Sequence, residues 1–205
     1  MLEARDLECV RGQRLLFRDL SFSIRPGECL ELRGTNGSGK TSLLRMLSGM
    51  VAPTSGAILW HGTPIAAVRE EYLASLAYVG HRSAVKDELT ATENLRLSCA
   101  LSGCGLSEEV ARDVLHRMAL NEQAHLHTRQ LSDGQRRRLA LARLLACPRS
   151  MWLLDEVLTS LDEVAARSMT LLVDEHLSSG GMAVIATHQD LRLAARMSRR
   201  IELAA

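Results

Sequence analysis

Residues 29–41 read "CLELRGTNGSGKT", an apolar run that breaks into small residues and closes on lysine and threonine. The run 29–33 predicts a short strand, and beyond the loop Leu43, Leu44, Leu47 and Met50 recur on one helical face. Between them Gly34, Gly39, Lys40 and Thr41 satisfy the spacing G-x-x-x-x-G-K-[ST]. Strand, glycine loop and amphipathic helix in this order make a phosphate cradle. Backbone N–H groups can turn inward around an anion where no Cβ collides, and the helix N-terminus adds partial positive charge. The expected ligand is a nucleoside triphosphate, held by Gly34, Thr35, Asn36, Gly37, Ser38, Gly39, Lys40, Thr41 and Ser42. Lys40 then balances the β- and γ-phosphates and the Thr41 hydroxyl ligates Mg²⁺.

Working outward, Leu20, Phe22 and Ile24 alternate with polar residues, "RPGE" (25–28) is a turn, and "GAILWHG" (56–62) is a glycine-bounded strand. The stretch "MWLLDE" (151–156) runs apolar into two acids. That pattern describes a buried strand delivering carboxylates at its C-terminal edge, where open α/β sheets bind ligands. Asp155 would hold Mg²⁺ through water, and Glu156 would polarise the attacking water as general base. "MAVIAT" (182–187) is a second buried strand, and His188 just beyond it is placed for a γ-phosphate contact.

The middle of the chain is different. From about residue 84 to 147 the pattern is mainly helical, with "TATE" (90–93) as a capping box and Ser107 as N-cap of a following helix. "LSDGQ" (131–135) then opens a basic, apolar-periodic helix. It reads both as a second anion cradle and as an N-cap by Ser132 or Asp133, and the two readings are compatible. A helix near 162–178 and a "SSGG" stop (178–181) complete the alternation. The expected fold is α/β: a P-loop NTPase core sheet with an antiparallel β subdomain and an inserted α-helical subdomain. One domain spans 1–205, with 1–83 and 148–205 as catalytic lobe and 84–147 as helical lobe.

Composition narrows the class. A net charge of +1 argues against nucleic acid as partner, since that needs a basic face. Cys9, Cys29, Cys99, Cys104 and Cys147 are scattered without a C-x-x-C pair, so reduced thiols are expected rather than a disulfide frame or zinc site. Glu3, Arg5 and Asp6 interrupt any signal peptide, and Pro53 and Pro64 break the longest weakly charged stretch, Met46–Val68, so no membrane helix is expected. "HLH" (125–127) reads as a solvated loop rather than a haem or metal ligand set, and "RRR" (136–138) as a solvated helix face.

"GTNGSGKT", "LSDGQ", "LLDE", "TSLD" and "ATH", in this order over nearly the whole chain, resemble the nucleotide-binding domain of ABC (ATP-binding cassette) ATPases. The resemblance implies an ATP-dependent homodimer in which one copy's P-loop and the other's signature, through Ser132 and Gly134, enclose each ATP. Four departures stand out. Asp133 replaces a glycine of the signature, with its side chain expected to turn away and cap the helix. His81 takes the Q-loop position, where it would orient the Mg²⁺ water shell. Val157 takes the place of a proline, and Arg11 stands where an aromatic stacks on adenine, which its guanidinium plane could replace.

Within that family, "GHRSAVKDELTATENL" (80–95) and the opening "MLEARDLECVRGQRLLFRDLSF" resemble the haem-exporter ATP-binding subunits of cytochrome c maturation, the CcmA family. This implies a peripheral subunit on the cytoplasmic face of the bacterial inner membrane beside integral subunits of the CcmB, CcmC and CcmD type, contacting them around His81–Glu93. It also implies ATP-driven haem handling, as export or as release of a haem-loaded chaperone, with no haem bound by this chain. A soluble ABC-type ATPase would usually carry tandem cassettes or a long coiled coil, and a kinase or GTPase leaves "LSDGQ" unexplained. A catalytically dead cassette is opposed by Lys40, Asp155, Glu156 and His188.

Overall fold

The computed structural model describes residues 1–81, 83–158, 161–188, 191, 193 and 198–203. Thr159 and Ser160 of the "TSLD" stretch and Arg82 after His81 lie outside the described residues. Two sheets organise the molecule. β1 (Leu2–Arg11) pairs antiparallel with β2 (Arg14–Ile24) on one side and with β4 (Ser55–Trp60) on the other, and β5 (Thr63–Pro64) extends the β4 edge. The core sheet is wholly parallel. Its order is β6 (Leu76–Val79), β7 (Met151–Asp155), β8 (Met182–Ala186), β3 (Cys29–Arg33) and β9 (Ser198–Glu202).

The apolar runs of β7 and β8 follow from burial on both faces. Met151 and Leu153 point into one hydrophobic cluster, with β1, β4 and α1 (Lys40–Leu47), while Trp152 and Leu154 point into the other. Successive side chains leave a strand on opposite faces, so one strand serves both cores. The second cluster holds α3 (Ala91–Leu101), α4 (Glu108–Arg117), α5 (Asp133–Ala146) and α6 (Glu163–Ser178) against the sheet. α2 (Arg69–Ser75) packs Tyr72 into the first cluster.

The caps expected at Thr90 and Ser107 are in place: Thr90 and Glu93 form the capping box that opens α3, and Ser107 caps α4. Asp162, which was not anticipated, caps α6. Other expectations are corrected. Met50 does not continue the apolar face of α1: the helix stops at Leu47, Gly49 turns the chain at φ 72°, and Met50 is 60% exposed. Cys104 and Cys147 are bonded as a disulfide across the end of α3 and the end of α5, with Cα atoms 6.0 Å apart, whereas Cys9, Cys29 and Cys99 are free and buried. Their 43-residue separation hid that proximity from a reading of spacing alone. Among the described residues no helix is long and apolar enough to cross a membrane.

Candidate functional site

The C-terminal edge of the parallel sheet gathers the expected chemistry. β3 runs into the 34–39 loop, β7 ends on Asp155, and β8 stops two residues before His188. The loop's shape depends on Gly34, at φ 137°, where a Cβ would lie 2.5 Å from the Leu203 carbonyl oxygen and 2.6 Å from Ser38 Oγ. Gly39, at φ 103°, is the N-cap of α1. Thr35, Asn36 and Gly37 face solvent, while Ser38 and Lys40 are buried. Lys40 Nζ donates to the carbonyls of Gly34 at 2.7 Å and Thr35 at 3.1 Å. Ser38 Oγ is buried without a hydrogen-bond partner, inside a cradle otherwise built from backbone.

The acids stand directly beside this loop. Thr41 Oγ1 donates to Asp155 Oδ1 at 3.2 Å, while Asp155 Oδ2 is buried with no hydrogen-bond partner. Burial raises the Asp155 carboxyl above its ordinary range, and the Thr41 hydroxyl pulls the other way. A half-used carboxylate and a hydroxyl side by side are hard oxygen donors, the type that suits Mg²⁺. Glu156 Oε1 lies 3.1 Å from His188 Nε2 and 4.0 Å from Lys40 Nζ. Its backbone sits at φ 49°, a left-handed conformation that a non-glycine residue holds only under constraint.

The remaining candidates divide. His81 is exposed, and it shares a cleft of about 610 Å³ with Thr41 and Asp155. Arg11 is exposed near the end of β1, where it and Ser42 both reach the Cys9 thiol; burial raises that thiol's pKa, and the Arg11 charge opposes the rise. Arg14 was not anticipated: its Nη1 would stand 3.8 Å from a Cβ placed on Gly37. Ser132 and Gly134 open α5 in the helical region, and among the described residues no hydrogen bond joins either to residues 34–42. Ser132 Oγ accepts from the Gln135 N–H at 3.2 Å and Gln135 Oε1 accepts from the Ser132 N–H at 2.9 Å. The cap is therefore Ser132, and Asp133 is the exposed first residue of the helix.

The "RRR" reading is overturned. Arg136 pairs with Asp87 at 2.8 Å, Arg138 donates to the Ala119 carbonyl at 3.0 Å, and Arg137 is 4% exposed. The Arg137 guanidinium spans the seam between the loop after β6 and the end of β7. Nη1 donates to the carbonyls of Gly80 (2.8 Å) and His81 (3.2 Å), Nη2 to those of Asp155 (3.1 Å) and Glu156 (3.0 Å), and Nε to Val157 (3.3 Å). Asn94, also buried, fixes the neighbouring loop by accepting from the Lys86 N–H at 2.7 Å and donating to the Lys86 carbonyl at 2.9 Å. "HLH" holds no metal cluster among the described residues, and His127 Nδ1 bonds the Glu88 carbonyl at 2.8 Å.

Residues 17–159 match the family model described as ABC transporter. The chain belongs to the ABC transporter family. Within that family it is similar to the cytochrome c biogenesis ATP-binding export protein CcmA of Nitrosomonas europaea, 49% identical over 93% of this chain and 90% of the relative. The CcmA protein of Nitrosospira multiformis is 46% identical over 98% of both chains. Among solved structures, a dimeric ATP-binding cassette in a post-hydrolysis state, bound to ADP and Pi, superposes with a TM-score of 0.84 at 23% identity, over 99% of this chain and 94% of that one. That last likeness speaks for the ABC cassette fold.

Proposed function

We propose that this chain is the ATP-hydrolysing subunit of a membrane ABC complex serving cytochrome c biogenesis. The observation that carries the reading is the convergence of Lys40, Thr41, Asp155, Glu156 and His188 on one sheet edge, around a cradle with two orphaned buried oxygens, Ser38 Oγ and Asp155 Oδ2. The residues fit ATP with Mg²⁺. Gly34 to Ser42 would take the phosphates, Lys40 would balance their charge, and Thr41 and Asp155 would hold Mg²⁺ with His81 toward its water shell. The cation supplies charge neutralisation on the phosphate oxygens. Glu156 would accept the proton of the attacking water, and His188, whose Nε2 lies 3.1 Å from Glu156 Oε1, would orient that carboxylate and meet the γ-phosphate. Arg11 would stack on the base.

A complete centre needs a second copy, whose Ser132 and Gly134 would face the phosphates from the other side. Exposure of Ser132 at the N-terminus of a fourteen-residue helix supports that role. Residues 1–205 would act as one ABC ATPase domain, with 1–83 and 148–205 as catalytic lobe and 84–147 as helical lobe. The relatives' names, ATP-binding export proteins of cytochrome c biogenesis, support a role in an export complex. Beyond those names, we propose a peripheral subunit on the cytoplasmic face of the bacterial inner membrane, docked to CcmB-, CcmC- and CcmD-like subunits and driving haem handling without binding haem itself.

The test is direct. Purified chain should hydrolyse ATP with Mg²⁺, and Glu156→Gln should bind ATP, stop hydrolysing and shift to a dimer in size-exclusion chromatography. Lys86, exposed beside the loop that Asn94 fixes, is expected to contact the membrane subunits; Lys86→Glu should lose co-purification with them while the soluble ATPase persists. An inactive wild type, or an Lys86→Glu chain that assembles normally, would count against the respective half of the reading.

A further inference from the structure

Arg137 is a buried cation whose five N–H groups all meet backbone carbonyls. A guanidinium has five donors in a fixed planar fork, so its donor capacity is filled. The acceptors belong to two segments that are far apart in sequence. Gly80 and His81 begin the loop after β6, Asp155 ends β7, and Glu156 and Val157 follow it. Arg137 itself comes from a third element, the second turn of α5, whose first turn is the Ser132–Gln135 capping box. One planar group therefore joins the signature helix, the His81 loop and the backbone of the general base.

The strain at Glu156 gives that junction a purpose. A left-handed glutamate, here at φ 49°, is strained and persists only where its surroundings over-determine it. Two bonds hold its backbone: its N–H donates to the Ala186 carbonyl at 2.9 Å, and its carbonyl accepts from Arg137 Nη2 at 3.0 Å. The first bond lies within the sheet edge. The second depends on where α5 stands.

We propose that Arg137 is a positioning residue for the hydrolytic step, coupling the placement of α5 and of the His81 loop to the aim of the Glu156 carboxylate. This rests on the proposed role of Glu156 and deepens it. When α5 or residues 80–81 shift, the carbonyls at 155–157 shift with them, and the base turns away from or toward the line of attack. A misplacement of about 1 Å at a reacting group is enough for a 10²-fold change in rate. The phosphate cradle shares no Arg137 bond, so nucleotide affinity is separable from turnover.

The experiment compares wild type, Arg137→Lys and Arg137→Gln. Lysine keeps the charge but offers three donors from one point, and glutamine keeps a planar pair of donors without charge. For both, kcat should fall tenfold or more while KM and the binding of a fluorescent ATP analogue stay within about twofold. The residual activity should not track the melting temperature. In wild-type protein, hydrogen exchange over 76–84 and over 151–158 should change together when a non-hydrolysable ATP analogue is added, an arm that needs no variant to fold. A folded Arg137→Gln with wild-type kcat, a loss confined to KM, or independent exchange in the two segments would overturn the inference. A wild type that hydrolyses nothing would instead strike the proposed function and leave the exchange arm to decide.

Discussion

Glu156 Oε1 and His188 Nε2 lie 3.1 Å apart, although one residue follows β7 and the other follows β8. The neighbouring parallel strands, paired Asp155 to Ala186, bring their ends level and so set this contact. The imidazole thus reaches the carboxylate proposed as the base, and orienting it is the task proposed for His188. His188→Ala should lower kcat by 10²-fold or more, the scale of a positioned acid–base group, with ATP binding retained. Steady-state hydrolysis beside equilibrium binding checks it. Equal losses in both would mean that His188 supports the cradle instead.

Ser132 carries two expected duties, and a pair of variants separates them. As N-cap, its loss costs about 1 kcal/mol. Aspartate also caps well, so Ser132→Asp should melt close to wild type, yet its carboxylate would repel a partner's phosphate. In a Glu156→Gln background Ser132→Asp should therefore stay monomeric with ATP, while Ser132→Ala loses stability and pairs weakly. Dimerisation of the aspartate variant at wild-type ATP concentrations would leave the serine as a cap alone.

The cradle and the two strand ends were legible because each is a contiguous pattern. Gly34 to Thr41, "MWLLDE" and "MAVIATH" announce their own geometry within a few residues. Arg137 was not legible, because its acceptors stand 56–57 residues upstream and 18–20 downstream, and three consecutive arginines look like a solvated face. β9 escaped for a related reason. It is an edge strand of sequence "SRRIE" with little buried surface, recognisable only by its pairing with β3. Met50 misled through periodicity, since the apolar spacing outlasts the helix that Gly49 ends.

Gly34 tests the cradle's backbone rather than its side chains. At φ 137° an alanine is strained, and its Cβ would fall 2.5 Å from the Leu203 carbonyl, a backbone group that cannot swing aside. Gly34→Ala should cost on the order of 1–3 kcal/mol and weaken ATP binding at least tenfold. Thermal melts and nucleotide titration read both. A variant of wild-type affinity would show that the loop tolerates a different path.

His176 makes stability depend on pH away from the nucleotide site. Its ring stacks on Trp152 with centroids 3.8 Å apart, and Nε2 is 3.1 Å from the Met182 carbonyl. Burial lowers its pKa below the ordinary 6.5, only partly offset by that carbonyl. The unfolded chain therefore takes up a proton here at a higher pH than the folded one. The associated stability is complete above about pH 6.5 and is lost as pH falls through the depressed folded value. His176→Phe keeps an aromatic ring against Trp152 and removes the titration. Between about pH 7.5 and 5.5 the wild type should lose a few degrees of melting temperature more than the variant does, beyond whatever constant offset the missing Met182 bond imposes. Parallel slopes for the two proteins would mean that this imidazole is protonated in the folded state as readily as in the unfolded one.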